Sequence, residues 1–501
     1  MSESRIHNAA LRGKIMSADE AAAFINPGDN IGVSGFTGSG HPKEVPQALA
    51  RRIEAATARG ETFRVGLWTG ASTAPELDGA LSKVNGVSLR LPYQSDPDCR
   101  NRINAGEAFY TDVHLSHVAQ NAAWGHYGKL DVALIEVVAI LEDGRLVPST
   151  SIGNNPTWLQ LADRVILEVN TGLNAQLEGM HDIYEVALPP NRQPIPIVRA
   201  DDRIGTPYLT VDPKKIVAVV ETNTPDRDTK FSAPDENSRL IAGHILDFLA
   251  HEVKLGRIPA NLLPLQSGVG NVANAVMAGL NDGPYENLTA YTEVLQDGML
   301  DMIRSGKLVS ASATAISLSK EALTDFNANL SEYRKRIILR PQEISNHPEV
   351  ARRLGVISMN GMLEADIYGN VNSTHVLGSR MMNGLGGSGD FARNAYLSIF
   401  MTPSLAKNGA LSCIVPMVSH VDHTEHDVQV LVTEHGLADL RGLAPTQRAK
   451  RVIEKCADPK FRPALHDYLA RATSAANGKQ TPHLLGEAFD WHLRALRGES
   501  M

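Results

Sequence analysis

The chain has 501 residues, of which 43% are hydrophobic and 21% charged, a balance that excludes disordered, collagen-like and coiled-coil proteins. Its 48 Lys and Arg against 56 Asp and Glu give a formal net charge of −8, so no overall positive charge favours nucleic acid or an anionic membrane. At roughly 150 residues per domain, the length predicts two large domains or about three.

The three cysteines, Cys99, Cys413 and Cys456, are odd in number and far apart. This spacing fits neither a disulfide framework nor a zinc motif, and it indicates a reducing compartment. The N-terminal region has no apolar run of signal-peptide length, and the most apolar segment, residues 132–141, is too short to span a bilayer and contains Glu136. We therefore expect a cytoplasmic protein with no membrane partner.

Short Val- and Ile-rich runs alternate with segments of helical period, the pattern of βαβ units around parallel sheets. Near the start, a strand at 30–36 and a helix at 42–53 are joined by a glycine turn. The same order returns later, with a strand predicted at 262–267 and a helix at 271–280. The sequence therefore predicts two α/β halves of similar plan.

The boundary between these halves is predicted in residues 222–237, where polar residues and proline interrupt the hydrophobic period. A cut near 230 gives an N-terminal domain of residues 1–229 and a C-terminal domain of residues 230–501. Within the second, residues 366–372 have the composition of a hairpin that leads to a glycine cluster.

The turn of the second half, residues 268–273, fits the pattern G-x-G-x-x-A, and Glu293 follows Gly270 by 23 residues. In a dinucleotide-binding fold such a turn holds a pyrophosphate, and an acid near this distance binds the ribose. The spacing alone is typical of a dehydrogenase. It is equally typical of a turn that only lets a helix and a strand pack closely.

Glu293 itself comes after a predicted strand at 288–292 and before a predicted helix at 294–303. Because the carboxyl ends of parallel strands line the ligand crevice, this carboxylate is placed where a catalytic or ligand-binding group would lie. An acid in the first turn of a helix, stabilised by the helix dipole, is the alternative.

A second glycine cluster, residues 383–390, holds four glycines in six positions. Such a segment is costly to order, which favours a backbone that approaches a ligand and donates N–H groups to it over an inert surface loop. His420, His423 and His426 have a spacing that could bind a metal, but a strand predicted at 428–432 makes a polar connection the better interpretation.

Taken together, four segments resemble the acetyl-CoA hydrolase/transferase family of class I CoA-transferases, most closely the bacterial succinyl-CoA:acetate CoA-transferases. The segments are residues 35–38 with 42–46, residues 266–275, Glu293 with residues 296–299, and residues 381–391. The resemblance covers nearly the whole chain and is more specific than a glycine pattern. It replaces the dehydrogenase interpretation, because in this family the acid after the glycine turn is the nucleophile. One departure is His375, which follows Asn372, Ser373 and Thr374.

The resemblance implies a pair of Rossmann-like α/β domains with the active site between them, in a homodimer. Glu293 matches the glutamate that attacks an acyl-CoA, Val269 and Asn346 match oxyanion donors, and the Gly387 amide matches part of a second donor set. Glu434 and Arg227 match polar positions near the acyl group. The positions that match contacts to coenzyme A are Gly268, Val269, Gly270, Asn271, Val272, Leu363, Gly387 and Lys407.

The function implied is transfer of CoA between short-chain carboxylic acids, with succinyl-CoA and acetate as the expected pair. CoA is then a substrate, with no tightly bound cofactor and no metal, and the partners are acyl-CoA and small carboxylic acids. An acyl-CoA hydrolase of the same fold is the first alternative, because incomplete exclusion of water turns a transferase into a hydrolase. A non-catalytic CoA- or NAD-binding module is the second.

Overall fold

The computed structural model describes residues 4–230 and 233–501. Its strands are β1 Asn30–Val33, β2 Val65–Trp68, β3 Val87–Leu91, β4 Phe109–Tyr110, β5 Val132–Ile140, β6 Leu146–Pro148, β7 Arg164–Asn170, β8 Ile216–Thr222, β9 Leu265–Ser267, β10 Leu288–Tyr291, β11 Val294–Leu295, β12 Leu308–Ala313, β13 Ala315–Ile316, β14 Ile337–Leu339, β15 Ile357–Gly361, β16 Glu364–Asp366, β17 Val371–Asn372, β18 His375–Val376, β19 Arg380–Met381, β20 Leu397–Met401, β21 Leu405–Ala406, β22 Leu411–Ser412, β23 Ile414–Val415, β24 Val430–Thr433 and β25 Gly436–Asp439.

The α-helices are α1 Ala9–Arg12, α2 Ala18–Ala22, α3 Val45–Ala58, α4 Ala80–Lys83, α5 Pro97–Asn104, α6 Val118–Ala123, α7 Asn155–Leu161, α8 Glu236–Lys254, α9 Asn271–Asp282, α10 Asp297–Arg304, α11 Lys320–Ala328, α12 Leu330–Tyr333, α13 Gln342–Ser345, α14 Pro348–Leu354, α15 Ser388–Asn394, α16 Pro445–Cys456, α17 Arg462–Ala475 and α18 Asp490–Leu496. A π-helical turn spans Pro75–Gly79, and 3-10 turns span Leu115–His117 and Ala175–Leu177. Among the described residues, no helix combines the length and the apolar composition needed to cross a membrane.

The chain folds into two compact units. The first comprises residues 1–230, 291–297 and 310–350, and the second comprises residues 231–290, 298–309 and 351–501. The predicted domains, 1–229 and 230–501, differ from these units because two segments of the predicted second domain, residues 291–297 with Glu293 and residues 310–350, lie in the first unit. The physical reason is local: Thr314 donates its N–H to the Glu293 carbonyl, and Ile316 donates its N–H to the Thr150 carbonyl.

The first unit is built on a sheet of order β4-β3-β2-β1-β5-β7-β8, in which all neighbours are parallel, and β6 pairs with β5 in antiparallel orientation. The strand order reverses between β1 and β5. In open α/β sheets such a reversal marks the place where ligands bind, at the carboxyl ends of the strands. Helix α3 covers the sheet through Val45, Leu49 and Ile53, which are fully buried.

The second unit contains strands in the order β10-β9-β15-β20-β24-β25, parallel except for the last pair. Helix α16 packs beside these strands and buries Val452 and Ile453 in a core shared with Leu431 and Phe400. Both units repeat the order strand, glycine turn, helix, so the prediction of an α/β protein with parallel sheets is confirmed.

Several predicted boundaries were wrong by a few residues. Strand β1 ends at Val33 instead of residue 36, because Gly35 has a φ of 117° and turns the chain. Helix α3 begins at Val45 instead of residue 42, because the carboxylate of Glu168 accepts the N–H groups of Lys43, Glu44 and Val45 and so caps the helix from a neighbouring strand. The predicted hairpin at 366–372 is confirmed as the antiparallel pair β16 and β17.

Candidate active site

Glu293 lies between two strands, β10 and β11, in the first unit. The prediction that a helix follows it directly was wrong. Val294 and Leu295 are buried and form β11, which pairs in parallel with β13, and helix α10 begins only at Asp297. Strand pairing on this side, instead of a helix dipole, therefore fixes the backbone at Glu293.

The carboxylate of Glu293 accepts a hydrogen bond of 2.8 Å from the side-chain amide of Asn346. Asn346 is fully buried, and the hydroxyl of Ser345 donates to its Oδ1 at 2.8 Å, which directs the amide nitrogen toward Glu293. Burial raises the pKa of Glu293 from its ordinary value of 4.5 to about 7, although the hydrogen bond from Asn346 lowers it. The site therefore holds a desolvated carboxylate that takes up a proton near neutral pH.

An apolar wall adjoins this carboxylate within the first unit. It consists of five buried residues, with Tyr93 packed against them: Phe36, Ala71, Leu115, Val294 and Ala315. Burial raises the pKa of Tyr93 to about 12, and the negative charge of Glu293 contributes to that rise. Tyr93 is therefore a neutral phenol close to Glu293, in surroundings that exclude water.

The wall lies at the carboxyl ends of three neighbouring parallel strands. Phe36 follows β1, Ala71 follows β2 and Tyr93 follows β3. This is the edge at which open α/β sheets bind ligands, beside the reversal of strand order. Phe36 belongs to a segment that the sequence singled out, whereas no sequence pattern pointed to Ala71, Tyr93 or Ser345.

Several predicted site residues of the second unit follow the carboxyl ends of neighbouring parallel strands. Of the predicted contacts to CoA, Gly268 follows β9 and Leu363 follows β15, and Glu434, predicted near the acyl group, follows β24. Residues far apart in sequence thus share one edge of the sheet, and Gly387 belongs to the same unit at the N-terminus of α15. Lys407 is exposed on the turn between β21 and β22.

The glycine turn at Gly268, Val269, Gly270, Asn271 and Val272 joins β9 to α9 as predicted. Gly270 has a φ of 143°, a backbone conformation that only glycine adopts readily. The Val269 side chain is 56% exposed, which is unusual for a large aliphatic residue unless it meets a ligand or another surface. The glycine conformation and the exposed Val269 side chain are both compatible with a ligand that contacts the backbone of this turn.

Glu434 is held within the second unit by Ser404, whose N–H donates to one carboxylate oxygen at 2.7 Å and whose hydroxyl donates to the other at 2.5 Å. Glu434, His435 and Asp458 are the one group among the described residues whose ligand atoms could surround a metal. His435 already lies 3.1 Å from an oxygen of Asp458, so a hydrogen bond satisfies this arrangement. His420, His423 and His426, all within the described part of the chain, form no such group and lie in a connection between strands.

Arg227 lies in the first unit, on the segment that follows β8. Its Nε donates to a carboxylate oxygen of Glu76, and its side chain is 55% exposed. The preceding residue, Asp226, is buried and lies 2.7 Å from the ammonium group of Lys43. The sequence did not predict Glu76 as a partner of Arg227, nor the pairing of Lys43 with Asp226, because these residues come from distant loops.

Family models match the chain at both ends. The acetyl-CoA hydrolase/transferase N-terminal domain matches residues 1–221, and the C-terminal domain of the same family matches residues 323–469. The chain belongs to the acetyl-CoA hydrolase/transferase family. This confirms the family resemblance, and the protein is an enzyme of the class I CoA-transferase family.

Three curated members of this family match almost the entire chain. A succinyl-CoA:acetate CoA-transferase of Clostridium kluyveri is 51% identical over 100% of this chain and 92% of its own length. An acetyl-CoA hydrolase of Schizosaccharomyces pombe is 47% identical, covering 99% of this chain and 98% of its own. A propanoyl-CoA:succinate CoA transferase of Escherichia coli is 47% identical, covering 97% and 98%. These relatives establish the family and include both transferases and hydrolases.

Solved structures show the same fold at lower identity. RipA from Yersinia pestis superposes with a TM-score of 0.70 at 23% identity, over 94% of this chain and 99% of its own. A 4-hydroxybutyrate CoA-transferase from Porphyromonas gingivalis gives a TM-score of 0.63 at 23% identity, over 92% and 98%. The α/β fold of this family member is therefore also that of RipA and of a known CoA-transferase.

Proposed function

We propose that this protein transfers CoA between short-chain carboxylic acids, with succinyl-CoA and acetate giving acetyl-CoA and succinate. The observation that supports this most directly is the environment of Glu293. A carboxylate with a pKa raised to about 7 by burial, hydrogen-bonded by Asn346 beside an apolar wall, is a desolvated nucleophile.

Exchange of CoA between two acids requires a covalent carrier, because water would otherwise compete with the acceptor acid for the thioester. In the proposed reaction, a carboxylate oxygen of Glu293 attacks the acyl-CoA carbonyl, and the C–S bond breaks to release CoA thiolate. The products of this step are the thiolate and a mixed acyl-glutamyl anhydride. The thiolate then attacks the glutamyl carbonyl, releasing the first acid as a carboxylate and leaving Glu293 as a thioester of CoA.

The second acid reverses these steps. Its carboxylate attacks the glutamyl thioester, giving a new anhydride and CoA thiolate, and the thiolate attacks the acyl carbonyl of that anhydride. The second acyl-CoA leaves, and Glu293 returns as a carboxylate. One thioester is exchanged for another, so the reaction consumes no oxidant or reductant.

Each tetrahedral intermediate carries a negative oxygen that needs hydrogen-bond donors. We assign the Asn346 amide and the Val269 N–H to one oxyanion and the Gly387 N–H to the other, while Gly268, Val269, Gly270, Asn271, Val272, Leu363, Gly387 and Lys407 bind CoA. One well-placed donor contributes roughly 3–4 kcal/mol to stabilising such an intermediate. Glu434 and Arg227 complete the polar surroundings of the acyl group.

Hydrolysis of acetyl-CoA is the second candidate, and the relatives named acetyl-CoA hydrolases support it. Both activities begin with the same acyl-CoA and differ in whether an acid or water accepts the acyl or glutamyl group. The apolar wall favours the transferase, because it limits the access of water to Glu293.

The decisive experiment traps the intermediate. Incubation with acyl-CoA alone should convert Glu293 into a thioester, which borohydride reduces to an alcohol that peptide mapping identifies. Glu293→Ala should give no labelled peptide and should lose more than about a thousandfold in transfer rate while keeping its fold. Reduction at another carboxylate, such as Glu434, would refute Glu293 as the nucleophile, and no reduction anywhere would refute the glutamyl carrier.

A second measurement separates transferase from hydrolase. Acyl-CoA consumption is followed with and without an added acid, over a panel of short mono- and dicarboxylates. Strict dependence on the acid, with a new acyl-CoA formed in equal amount, is the result expected. Release of free CoA at the same rate without any acid would establish the hydrolase instead.

We further propose that the enzyme acts as a cytoplasmic homodimer, as the family resemblance implies. Light scattering on the purified protein should give twice the mass of 54.1 kDa, and a monomer mass would contradict the assembly.

A further inference from the structure

Two short segments of the first unit, residues 291–293 and residues 344–346, are joined by hydrogen bonds at both of their ends. At one end, the hydroxyl of Tyr291 donates to the main-chain carbonyl of Ile344. At the other end, the Asn346 amide donates to the Glu293 carboxylate at 2.8 Å. The segments and these two bonds therefore form a closed ring, in which only the second bond involves the proposed nucleophile.

Helix α13, which ends just before Asn346, is too short to hold its own position. It has four residues, and isolated helices of this length are not stable in water. The last carbonyl groups of any helix lack the usual partner one turn ahead. Here the Ile344 carbonyl accepts the Tyr291 hydroxyl and the N–H of His347, the latter at 3.1 Å. Contacts with the rest of the unit therefore determine where this end of α13 lies.

The other end of α13 is anchored to the main chain of Glu293. The Gln342 N–H donates to the Gly153 carbonyl at 2.8 Å, and the Gly153 N–H donates to the Thr314 hydroxyl at 3.1 Å. Thr314 in turn donates its N–H to the Glu293 carbonyl at 2.9 Å. This anchor fixes the first residue of α13 and leaves the position of its last turn to other contacts.

Tyr291 is well placed to hold that last turn. It is the final residue of β10, and its side chain is fully buried, as is that of Ile344. The next residue, Thr292, donates its N–H to the Ser312 carbonyl at 2.9 Å, which fixes the main chain between Tyr291 and Glu293. A hydrogen bond between buried partners is stronger than one in water, so the phenol can hold the helix end against a fixed strand end.

We propose that Tyr291 is a positioning residue, whose hydroxyl holds the end of α13 so that the Asn346 amide reaches the carboxylate of Glu293 and the oxyanion that forms from it. This inference rests on the proposed function. Without the hydroxyl, the end of α13 can shift, and a displacement of about 1 Å at a catalytic group can cost about a hundredfold in rate. A purely structural hydroxyl would contribute to stability and leave catalysis unchanged.

The test is Tyr291→Phe, which removes the hydroxyl and keeps the ring in the core. We expect kcat for CoA transfer to fall about tenfold, while the KM values for acyl-CoA and for the acceptor acid stay within about twofold. The pH below which the rate falls to half should move upward from about 7, because the Asn346 bond lowers the pKa of Glu293. Tyr93 stays neutral in this range, since its pKa is raised to about 12.

Tyr368→Phe is the matched control. The hydroxyl of Tyr368, which is also fully buried, donates to the main-chain carbonyl of Pro482 in the second unit. Each variant loses one buried hydrogen bond to a carbonyl, so both melting temperatures should fall by similar amounts. Only Tyr291→Phe should change kcat and the pH midpoint. Equal kcat in the two variants, or an unshifted midpoint in Tyr291→Phe, would overturn the positioning role.

A double-mutant cycle tests whether Tyr291 acts through Asn346. Adding Tyr291→Phe to Asn346→Ala should lower kcat no further, because the amide that Tyr291 positions is already gone. Losses that multiply would show that the hydroxyl acts by another route and would refute the proposal. Borohydride labelling of Glu293 separates the two levels. An unlabelled wild type refutes the proposed function, whereas a labelled wild type with unchanged kcat in Tyr291→Phe refutes only the role of Tyr291.

Discussion

Glu293 and Asn346 lie 53 positions apart in sequence, yet the amide of Asn346 donates to the carboxylate of Glu293 at 2.8 Å within one compact unit. In the free protein the amide stabilises the ionised nucleophile. In the proposed reaction, one Glu293 oxygen bonds to the acyl carbon and the other becomes a carbonyl oxygen of the anhydride. When the CoA thiolate attacks the glutamyl carbonyl, that oxygen becomes the oxyanion, and the Asn346 amide can stabilise it.

Removing that amide should slow transfer. Asn346→Ala should lower kcat by about a hundredfold, the cost typical of one lost oxyanion donor. The hydrogen bond lowers the pKa of Glu293, so its removal should raise that pKa. The pH below which the rate falls to half, where Glu293 becomes protonated, should therefore move upward from about 7. Rate profiles between about pH 5 and 9 measure both effects. Asn327→Ala, a surface asparagine of α11, is the control, and an unshifted midpoint in Asn346→Ala would contradict the assignment.

Glu293 should destabilise the folded protein at neutral pH. Its pKa of about 7 lies above the ordinary 4.5, so the folded state binds a proton that the unfolded state has released. The wild type therefore loses unfolding free energy as the pH rises from about 4.5 to 7. Glu293→Gln should be more stable by about 3 kcal/mol at about pH 8 and equal to the wild type at about pH 4. Urea unfolding at both pH values measures this, and a difference independent of pH would show that the carboxylate is not desolvated.

The backbone N–H of Gly387 can be removed selectively. Gly387 has a φ of −83°, which is close to the value that proline imposes, so Gly387→Pro deletes the donor with limited change of backbone at that residue. We expect its transfer rate to fall by about a thousandfold, more than in Asn346→Ala. Gly387→Ala keeps the N–H and should retain most of the activity. If both variants transferred CoA at the wild-type rate with native thermal stability, the second oxyanion donor would lie elsewhere.

Loss of the Lys43 ammonium should lower the free energy of unfolding. Burial alone would lower its pKa, but the carboxylates of Asp226 and Glu136 raise it, so a charged ammonium joins two buried acids. Lys43→Met leaves those acids unpaired and should cost about 3–5 kcal/mol of unfolding free energy. Lys83→Met, which breaks an exposed pair with Asp98, should cost less than about 1 kcal/mol. Equal denaturation midpoints for the two variants would refute the role of the buried network.

Local patterns predicted the strands, the glycine turns and the position of Glu293 at a strand end, because these depend on periodicity and on single residues. The helix predicted at Val294 was wrong, since pairing of β11 with β13 outweighed the local helical pattern. Asn346 was found only through family resemblance, because a lone asparagine after a short helix carries no pattern of its own. Ser345, beside Asn346 in sequence, was missed for the same reason. Tyr93 and Glu76 were missed because their contacts join segments that are far apart in sequence.

The path of the chain between the two compact units limits how this protein can be divided. The chain leaves the first unit after residue 230 and returns to it for residues 291–297 and 310–350. A fragment ending at residue 230 would lack β11 and β13, and with them Val294 and Ala315 of the apolar wall. A gene split at that point would therefore yield two fragments that must fold together. We expect neither fragment to be active alone, and activity to return when the two separately expressed fragments are combined.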